Sequence, residues 1–266
     1  MTLPLFDPTE DPGPSFSALL RRLDLVPPSP DPAAAAGFVI THGTTICALR
    51  YTDGVVMAGD RRATAGPTIA HRAMEKVHPA DRFSGVAIAG AAGFALDMVK
   101  VFQLELEHYE KLTGNGLSLE GKANMLATMV RSNLPMAMQG LVVVPLFAGY
   151  DTRRNIGRIY TFDATGGRYE ETDFSAEGSG GRDARTTIKL RWVEGMGRAD
   201  AIELAVQALY EAADEDSATG GPDAVRGIYP TVATITSQGY QEVPETEVAE
   251  RFAALIERKT ERGLTR

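Results

Sequence analysis

Two adjacent threonines, Thr44 and Thr45, follow Gly43 where a leader rich in Pro and Ala gives way to short β-rich runs. A threonine hydroxyl is a poor nucleophile and needs a base beside it; a chain that begins at Thr44 carries one in its own α-amino group. That amine is the better base than a lysine. Its reference pKa is about 7.8 against about 10.4, so holding a lysine neutral at neutral pH costs roughly 3.5 kcal/mol more. Exposing the amine requires a cut after Gly43, and glycine allows the tight turn that lays its carbonyl against the Thr44 hydroxyl. These residues predict self-cleavage between Gly43 and Thr44, with 1–43 as a leader that is removed and 44–266 as the working domain.

The elements that must position Thr44 begin with Thr44 itself. Thr44 to Tyr51 and Val55 to Gly59 alternate around the turn signal Thr52-Asp53-Gly54, which reads as a hairpin. A third strand is expected at Ser84 to Ala89. Next come a helix with Ala95, Val99, Phe102, Leu106 and Tyr109 on one face, and a second from Ser118 with Ala123, Leu126, Ala127, Val130 and Leu134, ended or kinked by Pro135. Strands return at Leu141 to Gly149 and Arg158 to Phe162, and helical patterns at Asp183 to Trp192 and Ala199 to Ala213. A strand at Thr231 to Thr236 precedes a last helix with Val248, Phe252, Leu255 and Ile256 on one side. Blocks of strands and helices in this order predict an α+β layered domain rather than a parallel βαβ fold. Within the leader, Phe16, Leu19, Leu20 and Leu23 fall at helical spacing behind Ser15, a short amphipathic helix over Ser15 to Leu25.

Composition narrows the chemistry. The chain has 266 residues, is 44% hydrophobic and 23% charged, and carries a formal net charge of −8, which argues against a nucleic-acid surface. Its one cysteine, Cys47, excludes an internal disulfide framework and sits in an alternating run as a core filler, as expected in a reducing cytoplasm. The apolar run Ala33 to Ile40 is too short to span a bilayer and lacks a basic flank, so neither a membrane anchor nor a secretory signal is expected. His42, His71, His78 and His108 form no HExxH or other metal spacing, so no metal and no cofactor is expected. There is no GxSxG elbow and no Walker loop, and Gly178-Ser179-Gly180-Gly181 is only glycine-dense.

With those templates removed, the motifs Gly43-Thr44-Thr45, Gly59-Asp60-Arg61-Arg62, Lys76, Gly90, Gly178-Ser179-Gly180 and Asp216-Ser217-Ala218-Thr219-Gly220-Gly221 resemble, in order and spacing, those of proteasome β subunits. The resemblance covers about Thr44 to Ile256, and Glu105 to Lys111 looks particularly like actinobacterial members. It implies a four-layer αββα sandwich of two antiparallel sheets flanked by helices, the N-terminal-nucleophile hydrolase fold, and a threonine endopeptidase that degrades unfolded proteins. It assigns Asp60 to hold Lys76 as a cation, which would lower the pKa of the Thr44 hydroxyl and amine. It places the N–H of Gly90 as oxyanion donor, and Ser179, Asp216 and Thr219 around the amine and a catalytic water. Many members carry serine where Thr219 stands; the hydroxyl is retained. Thr64 falls at a substrate-binding position, and Ala63, Met74, Ile88, Ala92 and Leu96 line the pocket for the residue before the cut bond, an apolar set that predicts hydrophobic preference. The implied partners are α subunits and other β subunits in stacked seven-membered rings, a ring-shaped ATPase activator and protein substrates. A shorter bacterial ring protease lacks such a leader, and a non-catalytic ring subunit lacks the Thr44, Asp60 and Lys76 set. A small-amide hydrolase of the same chemistry would act outside a ring.

Overall fold

Alternation along the first hairpin decides the layers. In the computed structural model, which describes residues 43–261 and Gly263, β1 (Thr45–Tyr51) and β2 (Gly54–Gly59) pair antiparallel, with Ile46 opposite Gly59 and Tyr51 opposite Gly54. Successive side chains of a strand point to opposite faces. Ile46 and Ala48 therefore face one way and Cys47 and Leu49 the other, and all four are fully buried. A strand buried on both faces needs cover on both, here a second sheet on one side and helices on the other. The leader helix expected at Ser15 to Leu25 lies outside the described residues.

The chain continues through a two-stranded ribbon, β3 (Ala63–Ala65) and β4 (Thr68–His71), then β5 (Val77–Asp81) and β6 (Ser84–Gly90). Helices α1 (Ala92–Thr113), α2 (Leu119–Ser132) and the single turn α3 (Leu134–Ala137) follow, then β7 (Val143–Asp151), β8 (Ile156–Phe162), β9 (Arg168–Glu171) and β10 (Phe174–Gly178). Helices α4 (Gly181–Arg191) and α5 (Arg198–Glu215), strands β11 (Thr231–Thr236) and β12 (Gly239–Glu242), and α6 (Glu245–Glu261) complete it. The strands form two antiparallel five-stranded sheets, ordered β10-β1-β2-β11-β12 and β5-β6-β7-β8-β9.

Three apolar layers hold these elements. Between the sheets lie Ile46, Ala48, Val55 and Met57 from one, and Ala87, Ala89, Leu146, Ala148 and Ile159 from the other. Helices α4 and α5 cover the outer face of the first sheet, packing Ala184, Ile188, Leu204 and Ala208 on Cys47, Leu49, Val56 and Ala58. Helices α1 and α2 cover the second sheet, packing Ala95, Val99, Phe102, Leu106 and Leu126 on Val86, Ile88, Phe147 and Tyr160. This is the expected four-layer αββα sandwich. Cys47 is the core filler expected, its thiol pushed up to about 12 by burial. No helix among the described residues is long and apolar enough to cross a membrane.

The differences from expectation have local causes. Ser118 caps α2, its hydroxyl accepting the N–H of Gly121 at 3.1 Å, but the helix ends at Ser132, and Leu134 opens the next turn instead of closing the stripe. Pro135 sits in the first turn of α3, where its missing N–H costs nothing. Tyr109 is exposed at the edge of the α1 stripe. Strands β3, β4, β5, β9, β10 and β12 were not legible: β4 is exposed along its whole length, β9 reads Arg-Tyr-Glu-Glu, and β5 carries Pro79 beside an irregular register. The α1 layer is tested at Phe102, which is fully buried and meets the Phe147 ring edge-on at 5.8 Å. Phe102→Ala is expected to destabilise the chain by about 3–5 kcal/mol, measured by urea denaturation followed by circular dichroism.

Candidate active site

Pairing of β1 with strands on both sides gathers the site. Thr44 immediately precedes β1, Asp60 immediately follows β2, and Ser179 immediately follows β10, which pairs Gly178 with Thr45. Gly178 has φ +101, and a Cβ there would lie 1.8 Å from the Thr44 carbonyl oxygen, so only glycine lets β10 end so close. Lys76 precedes β5, Gly90 ends β6, and Asp216 caps the C-terminus of α5, with Thr219 in the loop beyond it.

Asp60 is wholly buried and accepts four donors. Its Oδ1 accepts the N–H of Thr45 at 2.8 Å and the Lys76 ammonium at 2.6 Å; its Oδ2 accepts the N–H groups of Arg62 at 2.9 Å and Gly220 at 2.8 Å. The Lys76 ammonium also donates to the Arg62 carbonyl at 2.6 Å and to the Gly43 carbonyl at 3.4 Å. Burial pulls the Lys76 pKa below its ordinary value, while the Asp60 carboxylate opposes the shift.

The scissile pair expected from the sequence is in contact. The Thr44 hydroxyl donates to the Gly43 carbonyl oxygen at 2.8 Å, so the Thr44 oxygen and the Lys76 nitrogen converge on one carbonyl. The N–H of Thr44 donates to Ser179 Oγ at 3.3 Å, and Ser179 Oγ donates in turn to Asp216 Oδ2. A second relay reaches the same carboxylate: Gly180 N–H to Thr45 Oγ1 at 3.0 Å, Thr45 Oγ1 to Thr219 Oγ1 at 2.6 Å, and Thr219 Oγ1 to Asp216 Oδ2 at 2.6 Å. Burial acts to raise the Asp216 pKa, but the hydroxyls of Ser179 and Thr219 and the N–H of Ala218 outweigh it and hold the carboxyl below its usual range.

All seven residues expected at the reaction centre stand in this arrangement. Gly90 lines a small cavity together with Gly43, Thr44, Lys76, Ala63, Met74, Ile88, Ala92 and Leu96. Ala63, Met74, Ala92 and Leu96 also border a wider apolar cup that includes Thr64. Sequence reasoning gave no role to Thr45, to the Arg62 carbonyl or to the Gly220 N–H. The first had a signal in the Thr-Thr pair; the other two are backbone groups, which no residue type announces.

An αββα sandwich of two antiparallel sheets, with a threonine at the head of its first strand, has the layout of the N-terminal-nucleophile hydrolase fold. The profile of the proteasome subunit family matches residues 40–226, and the chain belongs to that family. It is 60% identical to a protein of Acidimicrobium ferrooxidans named proteasome subunit beta, across the whole of this chain and 97% of that one. It is 57% identical to a proteasome subunit beta of Streptomyces griseus, across 83% of this chain and 78% of that one.

The Asp60 cluster makes a sharp prediction, because every group facing its two oxygens is a donor. The amide of Asp60→Asn must turn its NH₂ toward one of them and leave buried Lys76 without its paired carboxylate. The expected loss is on the order of 3 kcal/mol in urea denaturation.

Proposed function

We propose that the chain is the precursor of a catalytic β subunit of the proteasome core, a threonine-type endopeptidase that frees its own nucleophile by cutting between Gly43 and Thr44. The observation that carries this reading is the Thr44 hydroxyl set 2.8 Å from the Gly43 carbonyl oxygen, with the Lys76 ammonium on the same oxygen. Before the cut the Thr44 nitrogen is an amide and takes no proton. Burial makes the Lys76 ammonium easier to deprotonate, and in its neutral form Lys76 takes the hydroxyl proton and returns it to the departing nitrogen.

The Thr44 oxygen bonds to the Gly43 carbonyl carbon, the carbon–nitrogen bond breaks, and an ester joins Gly43 to the Thr44 side chain. Water then cleaves the ester, giving a Gly43 carboxylate, a free Thr44 hydroxyl and a free α-amine. In the mature chain that amine becomes the base for peptide substrates, held by Ser179 and the Asp216 carboxylate, while the Lys76 cation favours the threonine oxyanion. The N–H of Gly90 serves as donor to the tetrahedral oxygen, worth on the order of 3 kcal/mol where such donors have been removed. Ala63, Met74, Ile88, Ala92 and Leu96 take a hydrophobic residue before the cut, and Thr64 holds substrate. Residues 1–43 are the leader, and 44–266 the subunit that assembles with α and β neighbours in seven-membered rings fed by an ATPase ring in the cytoplasm.

Thr44→Ala, assembled with its α partner, is expected to retain residues 1–43 and to lose peptide hydrolysis, while the parent chain yields the intact mass of 44–266. Removal of the leader from pure Thr44→Ala particles would contradict self-cleavage. The acid limb of kcat/KM for peptide hydrolysis is expected at an apparent pKa between about 6 and 8, the reference amine value lowered by the Lys76 charge. A limb near 4 would point to a carboxylate base instead.

A further inference from the structure

The residue before the cut is a glycine, and glycine has the widest backbone freedom of any residue, so the Gly43 carbonyl faces the Thr44 hydroxyl only if something outside Gly43 orients it. One restraint is already described: the carbonyl oxygen meets the Lys76 ammonium. The other end of the same residue is also held. The Gly43 N–H donates to the Thr64 hydroxyl at 3.2 Å in a buried bond across 21 residues of chain.

The local backbone explains how Thr64 reaches it. In a regular strand Ala63 and Thr64 would point to opposite faces, yet both are buried, at 8% exposure each, and Ala65 beyond them is exposed. The register of β3 on β4 shifts between Ala63 and Thr64, an irregularity of the kind that re-aims a side chain next to functional sites. That shift turns the Thr64 hydroxyl inward while leaving Ala63 in the apolar cavity beside Thr44. Space restricts Gly43 from a third side: a Cβ at this position would lie 1.9 Å from the Ala218 side chain and 2.5 Å from the Ala218 carbonyl oxygen.

We propose that the Thr64 hydroxyl is a positioning residue for self-cleavage: it clamps the Gly43 N–H while Lys76 holds the Gly43 carbonyl, fixing the peptide on either side of the glycine in the orientation Thr44 Oγ1 attacks. This rests on the self-cleavage reading and adds to it a role for Thr64 that precedes any substrate. Thr64 takes no proton and forms no bond to the reacting carbon. Its effect is on geometry, to which attack is sensitive: a misplacement of about 1 Å can cost on the order of 10²-fold in rate.

The experiment follows conversion of the full-length chain, assembled with its α partner, by intact mass over time. Thr64→Val removes the hydroxyl and keeps the branched shape. It is expected to slow appearance of the 44–266 chain by at least about tenfold, the kinetic equivalent of one lost hydrogen bond, with the thermal midpoint of the precursor near that of the parent. Thr64→Ser keeps the hydroxyl and is expected to convert within about threefold of the parent, and Thr64→Ala, which removes it without a branched methyl, to match Thr64→Val in slowing. Conversion of Thr64→Val at the parent rate overturns the proposal, as does a Thr64→Ser chain as slow as Thr64→Val, which would assign the effect to the methyl group and packing. A parent chain that never yields 44–266, or a Thr44→Ala chain that does, overturns the self-cleavage reading itself, and the two failures are thereby told apart.

Discussion

A carboxylate with no access to water is the constraint on which the rest of the molecule depends. An unpaired buried charge costs several kcal/mol, so Asp60 is tolerated only because four donors close around it. They come from the head of β1, the turn after β2, the residue before β5 and the loop after α5. Satisfying one side chain therefore brings together four stretches of chain spread from Thr45 to Gly220. The site is where the sheets and the helical layer are tied, and the same bonds fix its geometry and the fold.

The two carboxylates of the site are held differently, and the difference divides their work. Asp60 is surrounded by one ammonium and three backbone N–H groups, which fix its position and its partner Lys76. Asp216 is surrounded by hydroxyls that can rotate and by one backbone N–H, and it stands at the end of two hydroxyl relays that begin at Thr44 N and Gly180 N. The first anchors charge near the Thr44 oxygen; the second orders protons around the Thr44 nitrogen. Hydroxyls can serve as donors or acceptors in turn, which would suit the change of the Thr44 nitrogen from amide to amine that the proposed cleavage requires.

Much of this was legible in the sequence, and what was not shares a cause. The first hairpin, the long helices and the strand at Thr231–Thr236 could be read because each buries a face and so shows a period. The exposed β4, the polar β9 and the proline-bearing β5 bury too little apolar surface to show one. The site residues could be placed because ordered motifs survive as residue types. The Arg62 carbonyl and Gly220 N–H could not, since any residue supplies those groups and only the path of the chain decides where they point. Thr64 lies between: the family resemblance gave it a substrate-binding position, but its bond to Gly43 depends on a register shift of one residue.

The single thiol gives the helical layer an internal reporter of opening. Cys47 points away from the second sheet, under α4 and α5, with no exposure and a thiol that stays protonated far above neutrality. Alkylating reagents attack the thiolate, so the closed protein is silent to them, and labelling requires an opening of the cover over β1. Because no second cysteine competes, the labelling rate, where reclosing outpaces alkylation, reads the opening equilibrium of that layer.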